Sequence, residues 1–453
     1  MLTKPFYLQL GVTIAASFSF LSFGAVRSWS SPAVPSLLSN NVINQSEVAM
    51  ISSLSPLGAI PGALLAGPCM DKFGRRSTLL GISLPWVATF VILSFAETVE
   101  IFYVTRLLLG LFMGIATPVA QIYISECVDA KLRSAFGSIT SLAHAVGILS
   151  CYILGSFLPW DQLSMVLGVF PALLFVGMFF APPSPTWLIS RSRISDAKKH
   201  LKALTGKDPN EVNLENLLPT NQDNSIGAEH KLLQIIQKPN LKILGISVVT
   251  MIFQQFSGIN SIIFHTVLIF DLTDAGVSSK ISTIIVGITL LVFTVVATIV
   301  VGRYGRRILL MTSGFIMFLS TLFLSLFFYF KEWIVSDFGF LPVLCLIIYI
   351  AAFSVGYNNV PFLLMGELFP KNIKNIYSSF SMMMHISCSF LIVYSFPVLI
   401  QVVGPSVLFL MYAVVNLIGV PIIYFILPET KGKTLDEIEN MFRNRRGESS
   451  TYV

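Results

Sequence analysis

The stretch MIFQQFSGINSIIFH, residues 251–265, sets two adjacent amides, Gln254 and Gln255, and a third, Asn260, inside a long apolar run. A carboxamide donates and accepts hydrogen bonds at once, which is what each hydroxyl of a polyhydroxylated ligand requires. Unsatisfied in hydrocarbon, such a group is costly, so these three must face protein or water. On a helix Gln254, Ser257, Gly258, Ser261 and His265 share one stripe, while Asn260 falls about 120° away. Gly258 permits a bend or break that brings Asn260 toward the same side. On pattern alone two uses stand open: ligands for a polar solute, or hydrogen bonding that holds neighbouring spans together.

Titratable groups within the apolar runs are sparse. His144, His265 and His385 lie there; histidine titrates near neutral pH, so proton coupling stands beside a packed neutral ring. No Asp or Glu falls deep in an apolar run, since Glu126 and Glu367 sit at one end of theirs and Asp271 at the other. Arg27 is an isolated cation that must snorkel or find a partner. No residues with metal-ligand spacing and no nucleotide-binding glycine loop occur, so neither metal nor cofactor is expected.

A second set of candidates is charged. Asp71, Lys72, Arg75 and Arg76 fill one short loop, with Glu126 and Arg133 in another; Arg303, Arg306, Arg307, Glu367, Lys374 and Glu429 occupy matching places later in the chain. Such residues can pair to hold helix ends together, as a latch made when a central site faces out and broken when it faces in. Exposed pairs are individually weak, so only a clustered network would matter. The plainer alternative is charge left on the inner side by membrane topology. Gly74 and Gly305, within two of these loops, suit tight turns of positive φ.

The elements that must carry these residues are membrane spans. The 453 residues are 54% hydrophobic and 11% charged, with mean hydropathy +0.78; roughly a quarter are charged in an ordinary soluble domain. A soluble enzyme is excluded. A span needs about 20 apolar residues, and twelve such runs occur, near 7–29, 48–69, 78–96, 101–124, 135–157, 163–182, 242–269, 280–301, 308–330, 341–365, 377–402 and 406–427. The first is long for a signal-peptide core and is kept as a span. With both termini inside, all 29 Lys and Arg except Arg27, Arg106, Lys280 and Lys331 fall in tails and inner loops. This positive-inside asymmetry ties the net charge of +6 to topology rather than to nucleic acid. The first outer loop holds Asn44-Gln45-Ser46, a glycosylation sequon. None of Cys69, Cys127, Cys151, Cys345 and Cys388 lies in an outer loop, so no structural disulfide is expected.

The longest polar stretch, residues 183–241, separates six spans from six and reads as a cytosolic linker with one or two short helices, Ser195 being a candidate N-cap. Across it the chain repeats itself. DKFGRR (71–76) returns as GRYGRR (302–307), SECVDAKLR as GELFPKNIK, and PPSPTWL as LPETKG. A parallel repeat of six spans fits a transporter whose solute sits between two bundles near the midplane. The expected organisation is a bundle over 1–182, the linker over 183–241, a second bundle over 242–427 and a cytosolic tail over 428–453. In the tail Thr434 and Glu437 form a capping box on a short amphipathic helix.

GPCMDKFGRR, RLLLGLFMG, YISE, QQFSGIN, VPFLLMGELFP and LPETKGKTLDEIE, in this order, resemble the sugar-porter branch of the major facilitator superfamily, most of all insect facilitated trehalose and glucose transporters. The resemblance covers nearly the whole chain. It implies an all-α membrane protein of the major facilitator fold, with twelve transmembrane helices in two six-helix bundles and both termini cytosolic. The implied activity is movement of a hexose or trehalose across the plasma membrane by alternating access. Gln254, Gln255 and Asn260 would bind substrate, Ser141, His265, Phe362 and His385 would line the pocket, and Asp71, Arg75, Arg76, Glu126, Arg133, Arg306, Arg307, Glu367, Lys374 and Glu429 would form the inner gate. Arg106 matches the family's arginine in the fourth span and reads as structural. Symporters of the family carry an aspartate near where Val26 stands, so its absence favours passive uniport over proton symport.

The chain departs from the family pattern at several sugar ligands. Ser141 stands for a glutamine, Leu290 for an asparagine, Phe362, behind Pro361, for a tryptophan, and His385-Ile386 for an Asn-Trp pair; Asn358-Asn359 replaces Gly-Pro. In the latch Pro183 and Thr186 replace a glutamate and an arginine, and Gly302 an aspartate. These changes keep open a non-sugar solute and a non-transporting nutrient sensor on the same scaffold. Nothing in the sequence specifies an oligomeric state.

Overall fold

Apolar segments in hydrocarbon must satisfy their backbone internally, and a helix does so within one segment. The computed structural model describes residues 4–129, 132–206, 237–273, 278–370 and 373–431, with Lys433, Glu437 and Met441, and every regular element among them is helical. The first half runs α1 (Lys4–Ser28), α2 (Ser30–Ser39), α3 (Val48–Phe73), α4 (Arg75–Ser94), α5 (Val99–Cys127), α6 (Arg133–Phe157), α7 (Trp160–Leu167) and α8 (Val169–Phe180). Two short helices, α9 (Pro185–Ser190) and α10 (Ile194–Thr205), follow in the polar stretch. The second half runs α11 (Lys238–Phe256), α12 (Ile259–Asp271), α13 (Ser279–Arg303), α14 (Arg306–Tyr329), α15 (Lys331–Phe338), α16 (Leu341–Val355), α17 (Val360–Leu368) and α18 (Lys374–Ile426).

Among the described residues, eleven stretches are long and apolar enough to cross a membrane, one fewer than the apolar runs in the sequence. The difference lies in α18. Its 53 residues would extend about 80 Å, far more than a hydrocarbon core of about 30 Å. Helical geometry fails at Gly404 (φ 79°, ψ 164°), just before Pro405 and between the last two apolar runs. A second difference concerns α10. Arg193, not Ser195, is its N-cap, and the Arg193 guanidinium pairs with Asp196, leaving Ser195 inside the first turn. Residues 207–236 of the linker and Thr434 of the expected capping box lie outside the described residues.

Among the described residues two large apolar cores form, beside a small cluster of Leu188, Ile189 and Ala197 in α9 and α10. One draws on side chains between Val12 and Leu204, the other on those between Ile243 and Leu427 together with Ala145, Ile148 and Tyr152 of α6. Small residues set the closest crossing of the first half: a Cβ on Gly110 of α5 would stand 2.0 Å from the Ser55 carbonyl of α3. Close backbone approach of this kind is how spans associate when lipid removes the hydrophobic drive between them. The halves meet where α3 packs on α18 and α6 on α13. The end that carries the Arg75 and Arg306 loops is called inner below.

Candidate functional site

Between α11 and α12 the helix breaks at Ser257 and Gly258. Gly258 has φ 97° and ψ 3°, and a Cβ on it would stand 2.7 Å from the Tyr412 ring, so side-chain-bearing residues are excluded twice over. The break strands carbonyls of the last turn of α11, and neighbours take them up: the Ser257 carbonyl accepts from the Tyr349 hydroxyl (3.0 Å) and from Asn416 Nδ2 (3.4 Å).

Past the break Asn260 faces the first half of the molecule. Its Oδ1 accepts from Arg27 Nη2 of α1, and its Nδ2 donates to Gln255 Oε1 and, at 2.7 Å, to Ser389 Oγ. Gln255 Nε2 in turn lies 2.9 Å and 3.1 Å from the two ring nitrogens of His385, one of which accepts. The His385 ring meets Phe362 edge-on at 5.3 Å. Arg27, Asn260, Gln255 and His385 thus form one line of donors directed away from the guanidinium, crossing from α1 to α18. Ser141 is half-buried on α6, one turn from His144, whose ring stacks on Phe23 at 4.6 Å.

Gln254 and His265 occupy different surroundings. Gln254 Nε2 donates to the Tyr357 carbonyl at 2.7 Å, in the non-helical segment between α16 and α17. His265, 1% exposed, stacks nearly parallel on Phe396 at 4.9 Å. Ser261, on the same stripe, bonds to the Ile392 carbonyl and the Tyr412 hydroxyl. The stripe read from helical periodicity therefore packs into the second half, and the residue off the stripe meets the first. Leu290 lies in the apolar core.

Tyr152 gave no sequence signal, being one aromatic in an apolar span. Its hydroxyl donates to the Ile263 carbonyl (2.8 Å) and lies 3.0 Å from Thr266 Oγ1. Nearby the Val267 N–H donates to Ser31 Oγ (3.1 Å), and Lys280 Nζ donates to the Ser156 carbonyl (2.9 Å). Among the described residues, these bonds and the Arg27–Asn260 contact are the hydrogen bonds between halves, and they fall in the outer part of the spans. Arg106 is fully buried: its four bonds reach the Ile51 and Val26 carbonyls and the Ser30 and Ser55 hydroxyls, and it stacks over Trp29 at 4.8 Å. These partners fix α1, α2, α3 and α5 together.

At the inner end each half carries the same device. Arg75 pairs with Glu126 at 2.8 Å, and the other Glu126 oxygen accepts from Ser184 Oγ. Arg306 pairs with Glu367 at 2.8 Å, and the other Glu367 oxygen accepts from Thr430 Oγ1. Both pairs join helices of one half. Arg76 donates to the Met178 and Phe179 carbonyls, and Arg307 to the Tyr424 carbonyl. Glu429 accepts from the backbone N–H groups of Arg306 and Arg307. Arg133 and Asp71 are exposed, with no ion pair described for either; the Asp71 carbonyl instead accepts from Trp187 and Arg191. Lys374 donates to the Gly366 carbonyl. Gly74 has the positive φ expected of it (84°), whereas Gly305 does not, at φ −69° and ψ 146°.

Two packed halves of apolar helices, joined by polar side chains at their boundary and carrying repeated charge networks at one end, define an integral membrane protein of the major facilitator fold. The chain belongs to the family of sugar (and other) transporters, whose model matches residues 12–442. It is 33% identical over 98% of its length to a facilitated trehalose transporter of Drosophila mojavensis, of which it spans 52%. It is also 33% identical over 96% of its length to one of Apis mellifera ligustica, of which it spans 88%. The chain thus covers about half the length of several relatives it matches. Its fold is that of the inward-open xylose transporter XylE of E. coli (TM-score 0.80, 23% identity, 96% of this chain and 99% of that one). The proton:xylose symporter XylE bound to 6-bromo-6-deoxy-D-glucose superposes with TM-score 0.74 over 96% of this chain and 99% of that one, at 23% identity.

Proposed function

We propose that this protein carries a sugar across the plasma membrane by facilitated diffusion. Two bundles, residues 1–182 and 242–427, rock about a central site, and 183–241 links them on the cytosolic side. The observation that carries this reading is the amide pair Gln255 and Asn260, buried at the boundary between halves and connected to residues of both. Amides there can exchange their mutual hydrogen bonds for those of sugar hydroxyls without leaving a buried group unpaired. The relatives named as trehalose transporters support a disaccharide or its hexose as cargo. Passive transport is favoured because α1, α6, α11, α12 and α18, which bring these residues together, hold one carboxylate between them, Asp271 at the outer end of α12. The two inner charge networks keep the ends of each bundle rigid as the bundles move and so gate the inner mouth. Asn44, exposed between α2 and α3, carries a glycan on the outer face.

The test is uptake of radiolabelled glucose and trehalose into proteoliposomes, with and without a proton gradient. Saturable uptake that ignores the gradient is the expected result. Uptake that collapses when the gradient is removed would overturn the passive mechanism.

A further inference from the structure

Arg27 and Arg106 are both cations brought into the membrane interior, yet they are treated differently. Arg106 is buried with four hydrogen bonds and an indole face against it. Arg27 is half-buried, and among the described residues its hydrogen bond is to one neutral amide oxygen, Asn260 Oδ1. Among the described residues no carboxylate pairs with it. Asp271, the one acid on the converging helices, lies eleven positions on from Asn260, beyond the break in helical geometry at His265, at the exposed outer end of α12. The other titratable side chains around Arg27 are His144, Tyr152 and His385; an imidazole is never an anion, and the Tyr152 hydroxyl keeps its proton on the Ile263 carbonyl, so none of them offsets the cation. An uncompensated cation at this depth is costly, and a guanidinium with free donors is shaped for a planar two-oxygen anion.

We propose that the missing charge arrives with the solute: the preferred cargo is a sugar acid, an aldonate or uronate, whose carboxylate binds Arg27 while its hydroxyls bind Gln255 and Asn260. This rests on the sugar-transport reading above. The carboxylate draws Arg27 off Asn260 Oδ1, which frees that oxygen to accept a sugar hydroxyl and releases one of the contacts that join the halves on the outer side.

The experiment compares uptake of radiolabelled D-glucuronate, D-glucose and trehalose by the full chain in proteoliposomes, with Arg27→Gln and Arg27→Lys alongside. Wild type is expected to prefer glucuronate to glucose, and Arg27→Gln to lower that preference by about 10- to 100-fold, the loss of one charged hydrogen-bonded contact. Arg27→Lys, which keeps the charge, retains part of it. The preference is a ratio within one variant, so poor folding does not mimic the effect. Transport of glucose or trehalose by wild type without transport of, or competition by, glucuronate overturns the proposal and leaves sugar transport standing. A monodisperse protein that moves none of the three overturns both. Uptake of neutral sugar that requires chloride, with the requirement lost in Arg27→Gln, assigns Arg27 to an inorganic anion and also overturns it.

Discussion

Glu429 lies so close to Gly305 that a Cβ on the glycine would stand 2.2 Å from Glu429 Oε2. The glycine is there for the carboxylate, since its backbone is extended and any residue could adopt it. The carboxylate accepts from the first two N–H groups of α14, which have no partner within the helix. Gly305→Ala is therefore expected to push Glu429 away and cost about 1.5–3 kcal/mol, the range for losing a bond to a charged acceptor. Gly302→Ala, with nothing within 4 Å of the new methyl group, should leave stability nearly unchanged. Thermal unfolding of the two variants in detergent checks this, and equal melting points would refute it.

The first half has no counterpart to Glu429, because Pro183 occupies the matching position and the Trp187 ring covers Gly74 instead. What the halves share is the arginine–glutamate pair, at 2.8 Å in each, with side chains between 13% and 25% exposed. A double-mutant cycle on Arg75 and Glu126, using Arg75→Met and Glu126→Gln, should give a coupling of about 1 kcal/mol, more than a fully exposed pair provides. Arg306 and Glu367 should behave alike. A coupling indistinguishable from zero in both halves would reduce these residues to charge left by topology.

Gln255→Ala and Asn260→Ala each remove one member of the hydrogen-bonded pair at the boundary between halves. Each is expected to raise the half-saturating sugar concentration about tenfold, equivalent to about 1.4 kcal/mol. Gln254→Ala should act mainly on stability, because that amide is bonded to the Tyr357 carbonyl. Transport kinetics beside melting points separate the two effects. Unchanged uptake in both boundary variants would remove the site from this position.

The architecture was legible because it rests on long apolar runs, loop charge and repeated loop motifs, which are local properties of the chain. The charged partners of Glu126 and Glu367 were legible only as a set: the nearby Arg133 and Lys374 are not the partners, and arginines from other loops are. Within the site, the stripe of Gln254, Ser257, Gly258, Ser261 and His265 presupposes one continuous helix, and the break that Gly258 was expected to permit is present: it turns Asn260 toward Arg27, while Gln254, Ser261 and His265 pack within the second half. Arg27 itself was visible as an unexplained cation, but its partner lies 233 positions away, and no local pattern encodes such a contact. Tyr152 was missed for the same reason.

Gly258 is where the site is most sensitive to a single methyl group. Its φ of 97° lies in the left-handed region, which costs an L-residue about 1–2 kcal/mol, and the Tyr412 ring already occupies the space a Cβ would need. Gly258→Ala must either unwind the break or displace Tyr412, whose hydroxyl holds Ser261 at 2.9 Å. Either movement carries Asn260 away from Gln255 and Arg27. The variant is expected to lose transport and to melt several degrees lower. Adding Tyr412→Leu gives the methyl room but leaves the backbone cost, so the double variant should recover part of the stability of Gly258→Ala. Full recovery of both stability and uptake would mean that the clash with the ring, and not the left-handed backbone, makes glycine necessary here.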